Sequence, residues 1–394
     1  MQLKAYGECQ ECIDVPLPAG LLEFLTMTAV TNALLVRAKN LHRNAIVIDT
    51  HCDTTQRLLQ SDWDFSTRHD DGHVDIPRLR EGGISGLFLA VYTPTVSKIG
   101  AAVAASRTQI ERIHQTMRLY NASLALARTA DEIRRAKVDG KIAVLIGIEG
   151  GHLIEDSLDV LREFHERGAA YLTLTHAFHT SWADSSGVHE ELPPLHGGLT
   201  DFGREVVREL NRLGMMVDVS HVSDDTFWDV METSSAPIIA SHSSCRSVSP
   251  HRRNLNDEMI QAVARSGGVV QINFHAGFVD PTFPSIDPQV IHEWWESDPT
   301  DRQPLTDHIT PLSALIDHFD HAIRLVGPDH VGIGSDFDGV PALPAGMEDC
   351  SKLSNLTAAL LERGYSEEDL KKVLGENVLR VMEQCQRVSR ELRL

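Results

Sequence analysis

The chain has 394 residues, 42% of them hydrophobic and 23% charged, the balance of a globular protein with a large core and not of a disordered one. Its 36 Lys plus Arg against 56 Asp plus Glu give a net charge of −20, and no block of basic residues stands out, which argues against nucleic acid as a partner. The 6 cysteines are too widely spread for a disulfide framework and point to a reducing compartment, so a cytoplasmic location is expected.

Residues 1–35 read as an N-terminal extension. Cys9 and Cys12 form a lone CxxC there, with no second pair nearby to complete a metal site. The apolar stretch Phe24–Val36 lacks a basic region before it and is too short to span a bilayer, so no membrane anchor is expected; an N-terminus left by removal of a signal peptide stays open. From residue 36 to 394 the chain reads as one unit built on eight short apolar runs: Ala45–Asp49, Gly86–Val91, Ile142–Ile148, Tyr171–Thr175, Met215–Ser220, Pro237–Ala240, Gly268–Phe274 and His330–Gly334. Between them lie helix-like stretches such as Leu158–Arg167, Thr200–Leu213 and Asp257–Arg265, followed by Gly168, Gly214 and Gly267 as expected at helix ends. The repeated order of helix, glycine, strand and loop calls for parallel strands joined by crossover helices, and eight such strands make an α/β fold, a (β/α)8 TIM-type barrel. After the seventh run comes an insertion at about 279–309, rich in Pro and Asp and holding Trp294 and Trp295. It reads as part helix and part loop over the site, or equally as a surface excursion packing its tryptophans on the barrel.

The strand ends carry the chemistry, because a parallel barrel delivers all of them to one face. The first run leads into Asp49-Thr50-His51-Cys52-Asp53. In extended backbone His51 and Asp53 point to one side and can face one metal, while Cys52 points away. Glu149 follows the third run and precedes Gly150 and Gly151; it suits a bridging carboxylate, the bland reading being a half-buried acid satisfied by backbone amides. His221 and His242 end consecutive runs in the same Ser-His pair, and imidazole is a preferred ligand for zinc and similar borderline metals. His176, at the end of the fourth run, is placed to touch substrate rather than metal. Asp336 is a carboxylate over the bowl suited to general acid-base work, whereas Asp338 before Gly339 reads as a turn residue. Arg253 is the basic group best placed to reach the bowl and pair with a carboxylate, a structural salt bridge being the alternative.

Read together and in this order, IDTHCDT, GIEGGH, LTLTHAFHTSWADSS, DVSHVS, SHSSCRSVSPHRRNL and GIGSDFDG resemble the membrane dipeptidase (renal dipeptidase) family of metallopeptidases, over about residues 40 to 380. The resemblance implies an (α/β)-barrel with two zinc ions per subunit, His51 and Asp53 on one, His221 and His242 on the other, and Glu149 bridging them. It puts His176 on the substrate carbonyl oxygen, Arg253 on the substrate's terminal carboxylate, and Asp336 in the role of proton-transfer residue. The implied reaction is hydrolysis of a dipeptide, with L-D dipeptides among the candidates, by a hydroxide shared between the zinc ions. The implied partner is a small-molecule dipeptide, and a homodimer stays open. Mammalian members carry a lipid anchor, which is not expected here because the chain ends in VSRELRL with no hydrophobic tail. The alternative is an amidohydrolase-type hydrolase of another amide or ester, such as an N-acyl amino acid, a lactone or a β-lactam. Many such barrels bridge their metals with a carboxylated lysine, and the end of the third run offers Glu149 instead.

Overall fold

The apolar runs form a parallel sheet that curls into a ring. The computed structural model describes residues 19–60, 62–93, 100–188, 190–299 and 301–394, with side chains from residue 32 onward; Cys9 and Cys12 lie outside the described residues. The strands are β1 (Ile48–Cys52), β2 (Gly86–Val91), β3 (Leu124–Leu126), β4 (Ile142–Glu149), β5 (Ala169–Thr173), β6 (Met216–Asp218), β7 (Ile238–Ala240), β8 (Val269–Ile272) and β9 (Val331–Ile333). Their pairing order is β1-β2-β4-β5-β6-β7-β8-β9, all parallel, with β3 off this path on the outer start of β4. Leaving β3 aside, this is the expected eight-stranded barrel. The ring closes between β1 and the segment following β9 not by a ladder but by two hydrogen bonds at the end of β1: Asp53 N donates to Phe337 O at 2.8 Å and Asp336 N to His51 O at 3.0 Å. Three of the functional candidates, His51, Asp53 and Asp336, are thus also the clasp of the barrel.

The strands are buried on both faces, which is why their sequences are continuous apolar runs and not alternating ones. Interior residues Phe88, Leu145, Tyr171, Met216, Ile239 and Val269 form one cluster with Val378, Leu379, Val381 and Met382. The latter four sit on the C-terminal helix Asn377–Leu392, which packs against strand-starting residues and so covers the end of the barrel away from the site. Outside the ring, helices Leu158–Glu166, Asp201–Leu213 and Asp257–Arg265 begin where Ser157, Thr200 and Asn256 accept a hydrogen bond from the backbone three residues on, which satisfies otherwise orphaned N–H groups. Gly214 caps its helix at φ 79, a left-handed conformation that a Cβ disfavours. The apolar stretch Phe24–Val36 falls within the helix Ala19–Asn44, and no described helix is long and apolar enough to cross a membrane.

Candidate metal centre

Every candidate ligand emerges at the C-terminal end of a strand or just beyond it: His51 and Asp53 from β1, Glu149 from β4, His221 from β6, His242 from β7, with Asp336 following β9. Glu149 is the hub. Its Oε1 lies 3.5 Å from His51 Nε2, 3.8 Å from His176 Nε2, 3.2 Å from His221 Nε2 and 3.5 Å from His242 Nε2. His51 Nε2 is also 3.9 Å from Asp53 Oδ2 and 4.0 Å from Asp336 Oδ1. Three groups have ligand atoms within 4.8 Å of one another: His51 with Glu149 and His242, Glu149 with His176 and His221, and His51 with Asp53 and Asp336. The expected division of ligands maps onto these groups only in part. His51 and Asp53 share a group; His221 and His242 stand in different ones although their Nε2 atoms are 2.8 Å apart.

Hydrogen bonds behind the cluster set which imidazole nitrogen is presented. The Tyr171 hydroxyl donates to Thr50 O at 3.1 Å, so at 2.9 Å from His51 Nδ1 it accepts the ring's proton and leaves Nε2 as a lone pair. Ser241 Oγ donates to Asp218 and therefore accepts from His242 Nδ1 at 2.7 Å, with the same result. Asp218 also takes hydrogen bonds from Thr173 Oγ1 and from the backbone of Ser220 and Ser241. Such carboxylate or hydroxyl partners behind an imidazole orient metal ligands. His51 Nε2, Asp53 Oδ1 and His221 Nδ1 are buried with no hydrogen-bond partner among the described residues, a costly state for polar atoms that a cation at the first two would relieve.

Electrostatics argue the same way. Burial alone would lower the His51 pKa, but the Glu149, Asp53 and Asp336 carboxylates override it and raise it to about 10. Burial raises Asp53 well above the usual carboxylate range, and Glu149 beside it adds to this. For Glu149, burial is outweighed by His51, His176 and His221, which hold its carboxyl well below its ordinary value. Burial drives His221 and His242 well below the usual imidazole range, toward the neutral, ligating form. Packed carboxylates that need a proton on His51 for balance suit a metal cation instead, and the nitrogen-oxygen donor set suits zinc or a similar borderline ion. Cys52 is turned away: its thiol meets Phe88 O and Thr54 Oγ1.

The remaining candidates surround this cluster. Asp336 accepts from Asn273 Nδ2 at 2.8 Å through Oδ2, leaving Oδ1 toward His51. His221 at φ 68 and Asp336 at φ 66 are both in the left-handed region, strain of a kind concentrated at functional sites. Arg253 is only 2% exposed, donates to His242 O at 3.1 Å, lies over the Phe278 ring at 5.5 Å and keeps Nε without a partner. No described carboxylate pairs with it, and burial lowers its pKa to about 10, leaving it charged at neutral pH. Asp338 is the expected turn residue, its carboxylate held by Thr54 Oγ1, Arg57 Nε and His73 N.

A cavity of about 370 Å³ opens onto Asp53, Glu149, His176, His221 and Asp336, with walls that include Tyr92, Phe278 and Trp295. A wider groove of about 780 Å³ adjoins it across His275 and Phe278 but touches none of the cluster, so the smaller cavity is the one that brings a substrate to the chemistry. Sequence reasoning passed over Asp218, Tyr171, Asn273, Tyr92 and Arg302. Asp218 had a signal, an acid inside an otherwise apolar run; the others had none, since their partners come from distant strands and from the insertion.

Comparison with known proteins agrees with this architecture. The chain is 38% identical over 331 residues to the dipeptidase verJ of Clonostachys rogersoniana, covering 82% of this chain and 78% of that protein. Its fold matches the crystal structure of the probable dipeptidase PvdM from Pseudomonas aeruginosa with TM-score 0.80 and 26% identity, over 91% of this chain and 99% of that one. It also matches a metallopeptidase from Rhodobacter sphaeroides liganded with a phosphinate mimic of the dipeptide L-Ala-D-Ala, with TM-score 0.73 and 28% identity, over 86% and 99%. Matched over residues 35–394 by the family described as membrane dipeptidase (peptidase family M19), the chain belongs to that family of metallopeptidases.

Proposed function

We propose that this member of the dipeptidase family cleaves the peptide bond of dipeptides at a pair of zinc ions held by His51, Asp53, Glu149, His221 and His242. The observation that carries the reading is Glu149: one carboxylate oxygen between 3.2 and 3.8 Å from four imidazole nitrogens, with the unpartnered His51 Nε2 and Asp53 Oδ1 beside it. When bound, the ions supply a nucleophile at neutral pH and Lewis acidity at the scissile carbonyl. The protein's own groups do the rest. His176, with Nε2 3.8 Å from Glu149 Oε1, donates to the carbonyl oxygen as negative charge develops there. Asp336, steadied on one oxygen by Asn273, takes the nucleophile's proton and passes it to the departing amine. Arg253, charged, buried and without a carboxylate partner, receives the terminal carboxylate one residue beyond the bond, which limits substrates to dipeptides. The phosphinate mimic of L-Ala-D-Ala bound by the Rhodobacter sphaeroides relative supports including L-D dipeptides among the substrates. The same reading takes residues 36–394 as one catalytic domain working in the cytoplasm, with 279–309 as its cover.

The test is a panel of L-L and L-D dipeptides, matched tripeptides, N-acyl amino acids and lactones, run before and after chelation and again after zinc is returned. Dipeptide hydrolysis that disappears with the metal and returns with zinc is the expected result. Cleavage of lactones or N-acyl amino acids alone would overturn it. In the same assay Asp336→Asn keeps its bound zinc and loses turnover.

A further inference from the structure

The insertion between β8 and β9 lines the cavity with Trp295 and grips the turn after β9 through Arg302. Arg302 Nη1 donates to Asp338 O at 3.1 Å and Nη2 to Trp295 O at 2.7 Å, while its guanidinium lies over the Trp294 ring at 4.8 Å. Trp295, from the helix Pro288–Glu296, donates its Nε1 to Gly339 O at 2.9 Å. Both of those carbonyl acceptors, of Asp338 and Gly339, belong to the turn that begins with Asp336. The turn is under strain and has no spare room: Asp336 and Asp338 both stand at φ 66, and a Cβ on Gly339 would collide with Asp53 Oδ2 and Asp336 Oδ1. On its other side the Asp338 carboxylate is pinned by Thr54, Arg57 and the His73 backbone, and Arg57 reaches back to Pro299 O of the insertion at 2.9 Å. The Arg302 guanidinium also faces the Tyr92 hydroxyl and the Asp53 carboxylate at the cavity wall.

We propose that Arg302 is a positioning residue for the reaction: by holding the Asp338 carbonyl and the Trp295 backbone together, it fixes the strained turn that aims the Asp336 carboxylate into the cavity. Left-handed conformations at non-glycine residues persist only where their surroundings over-determine them, and Arg302 is the charged clamp that the insertion contributes beside the Trp295 bond to Gly339 O. Without it the turn relaxes and Asp336 loses its aim, although every ligand of the metals is still present. This inference rests on the reading of Asp336 as the proton-transfer residue.

The test uses the zinc-loaded protein and the fastest-cleaved dipeptide of the panel, comparing Arg302→Met, Arg302→Lys and Asp336→Asn for kcat, KM and bound zinc by elemental analysis. Arg302→Met is expected to lower kcat by about 10- to 100-fold, the scale of a misplacement near 1 Å, with KM and bound zinc close to the parent's, and Arg302→Lys to recover part of the loss. Parent-like kcat in Arg302→Met alongside an inactive Asp336→Asn would overturn the positioning role and leave the role of Asp336 intact. Parent-like turnover in Asp336→Asn would remove the foundation and the inference with it. A rise in KM alone, or loss of zinc, would also overturn it, making Arg302 a wall or a support of the ligands. Should Arg302→Met fail to fold, Trp295→Phe removes the bond to Gly339 O and trims the cavity wall; a smaller fall in kcat at constant KM supports the inference, and parent-like kcat counts against it.

Discussion

Arg253 pairs opposing demands in one side chain. A guanidinium that is 2% exposed, with Nε unpartnered and no carboxylate in direct ion-pair contact among the described residues, costs folding free energy, because the more distant Asp336, Glu149 and Asp218 carboxylates offset its burial only in part. In the proposed reaction a dipeptide's carboxylate is the direct partner. Arg253→Met, which keeps the stem against Phe278, is therefore expected to raise the melting temperature of the free protein while weakening substrate capture. A charged hydrogen-bonded pair contributes about 1.5–3 kcal/mol, so KM for dipeptides should rise by roughly 10- to 100-fold. Thermal melts and steady-state kinetics on one preparation decide it: unchanged KM, or a lower melting temperature with unchanged KM, removes Arg253 from substrate recognition.

Between elements, the cluster is set by a relay through the barrel interior that runs from β4 to β5 to β1. Gly147 of β4 lies under the Tyr171 ring so closely that a Cβ there would collide with it, and the Tyr171 hydroxyl is the partner that orients His51. Gly147→Ala is expected to push the ring off, at the roughly 1–3 kcal/mol typical of overpacking, and to loosen zinc binding by freeing His51. If denaturant melts and zinc titration of this variant match the parent's, the relay has no such role. Nothing in the run IAVLIGI announces that contact, because it depends on the register of β4 against β5, where Gly147 stands opposite Tyr171. The strands and the helices around it were readable, since a buried parallel strand must be apolar throughout and Gly168, Gly214 and Gly267, all at positive φ, mark where helices end. The limits of legibility follow the same logic. The first run was read as Ala45–Asp49, yet β1 starts at Ile48, where pairing to Gly86 begins. Leu124–Leu126 is too short to carry a period, and only its neighbour β4 makes it a strand. The ligands at strand ends stood out because barrel geometry makes their sequence position equivalent to spatial convergence; Tyr171 and Asn273, which orient His51 and Asp336, have no such positional mark.

For the whole molecule, buried neutral histidines tie distant segments together and make stability depend on pH. His42 joins the N-terminal helix to Gly82 O and to Thr357 Oγ1, each at 2.7 Å. His318 accepts from Cys245 N at 2.9 Å and donates to Val279 O at 3.0 Å, so its bonds require the neutral ring. Burial lowers both, His318 from its ordinary 6.5 to about 4. The unfolded chain takes up a proton near the ordinary value, and the folded protein resists until near the lowered one. The stability from His318 is thus fully present above 6.5 and is lost as pH falls from there to about 4, for a total on the order of 3 kcal/mol at about 1.4 kcal/mol per unit. Loss of a bound metal from protonated ligands would act in the same direction, so the measurement belongs on metal-free protein, where only the protein's own groups titrate. His318→Gln cannot take the charge, and its stability measured by urea unfolding should fall less steeply than the parent's across this window while converging with it in slope above 6.5. Parallel curves for variant and parent from neutral pH down to about 4 would mean that His318 takes up its proton as readily in the folded protein as in the unfolded chain, and that its bond to Cys245 N does not hold the ring neutral.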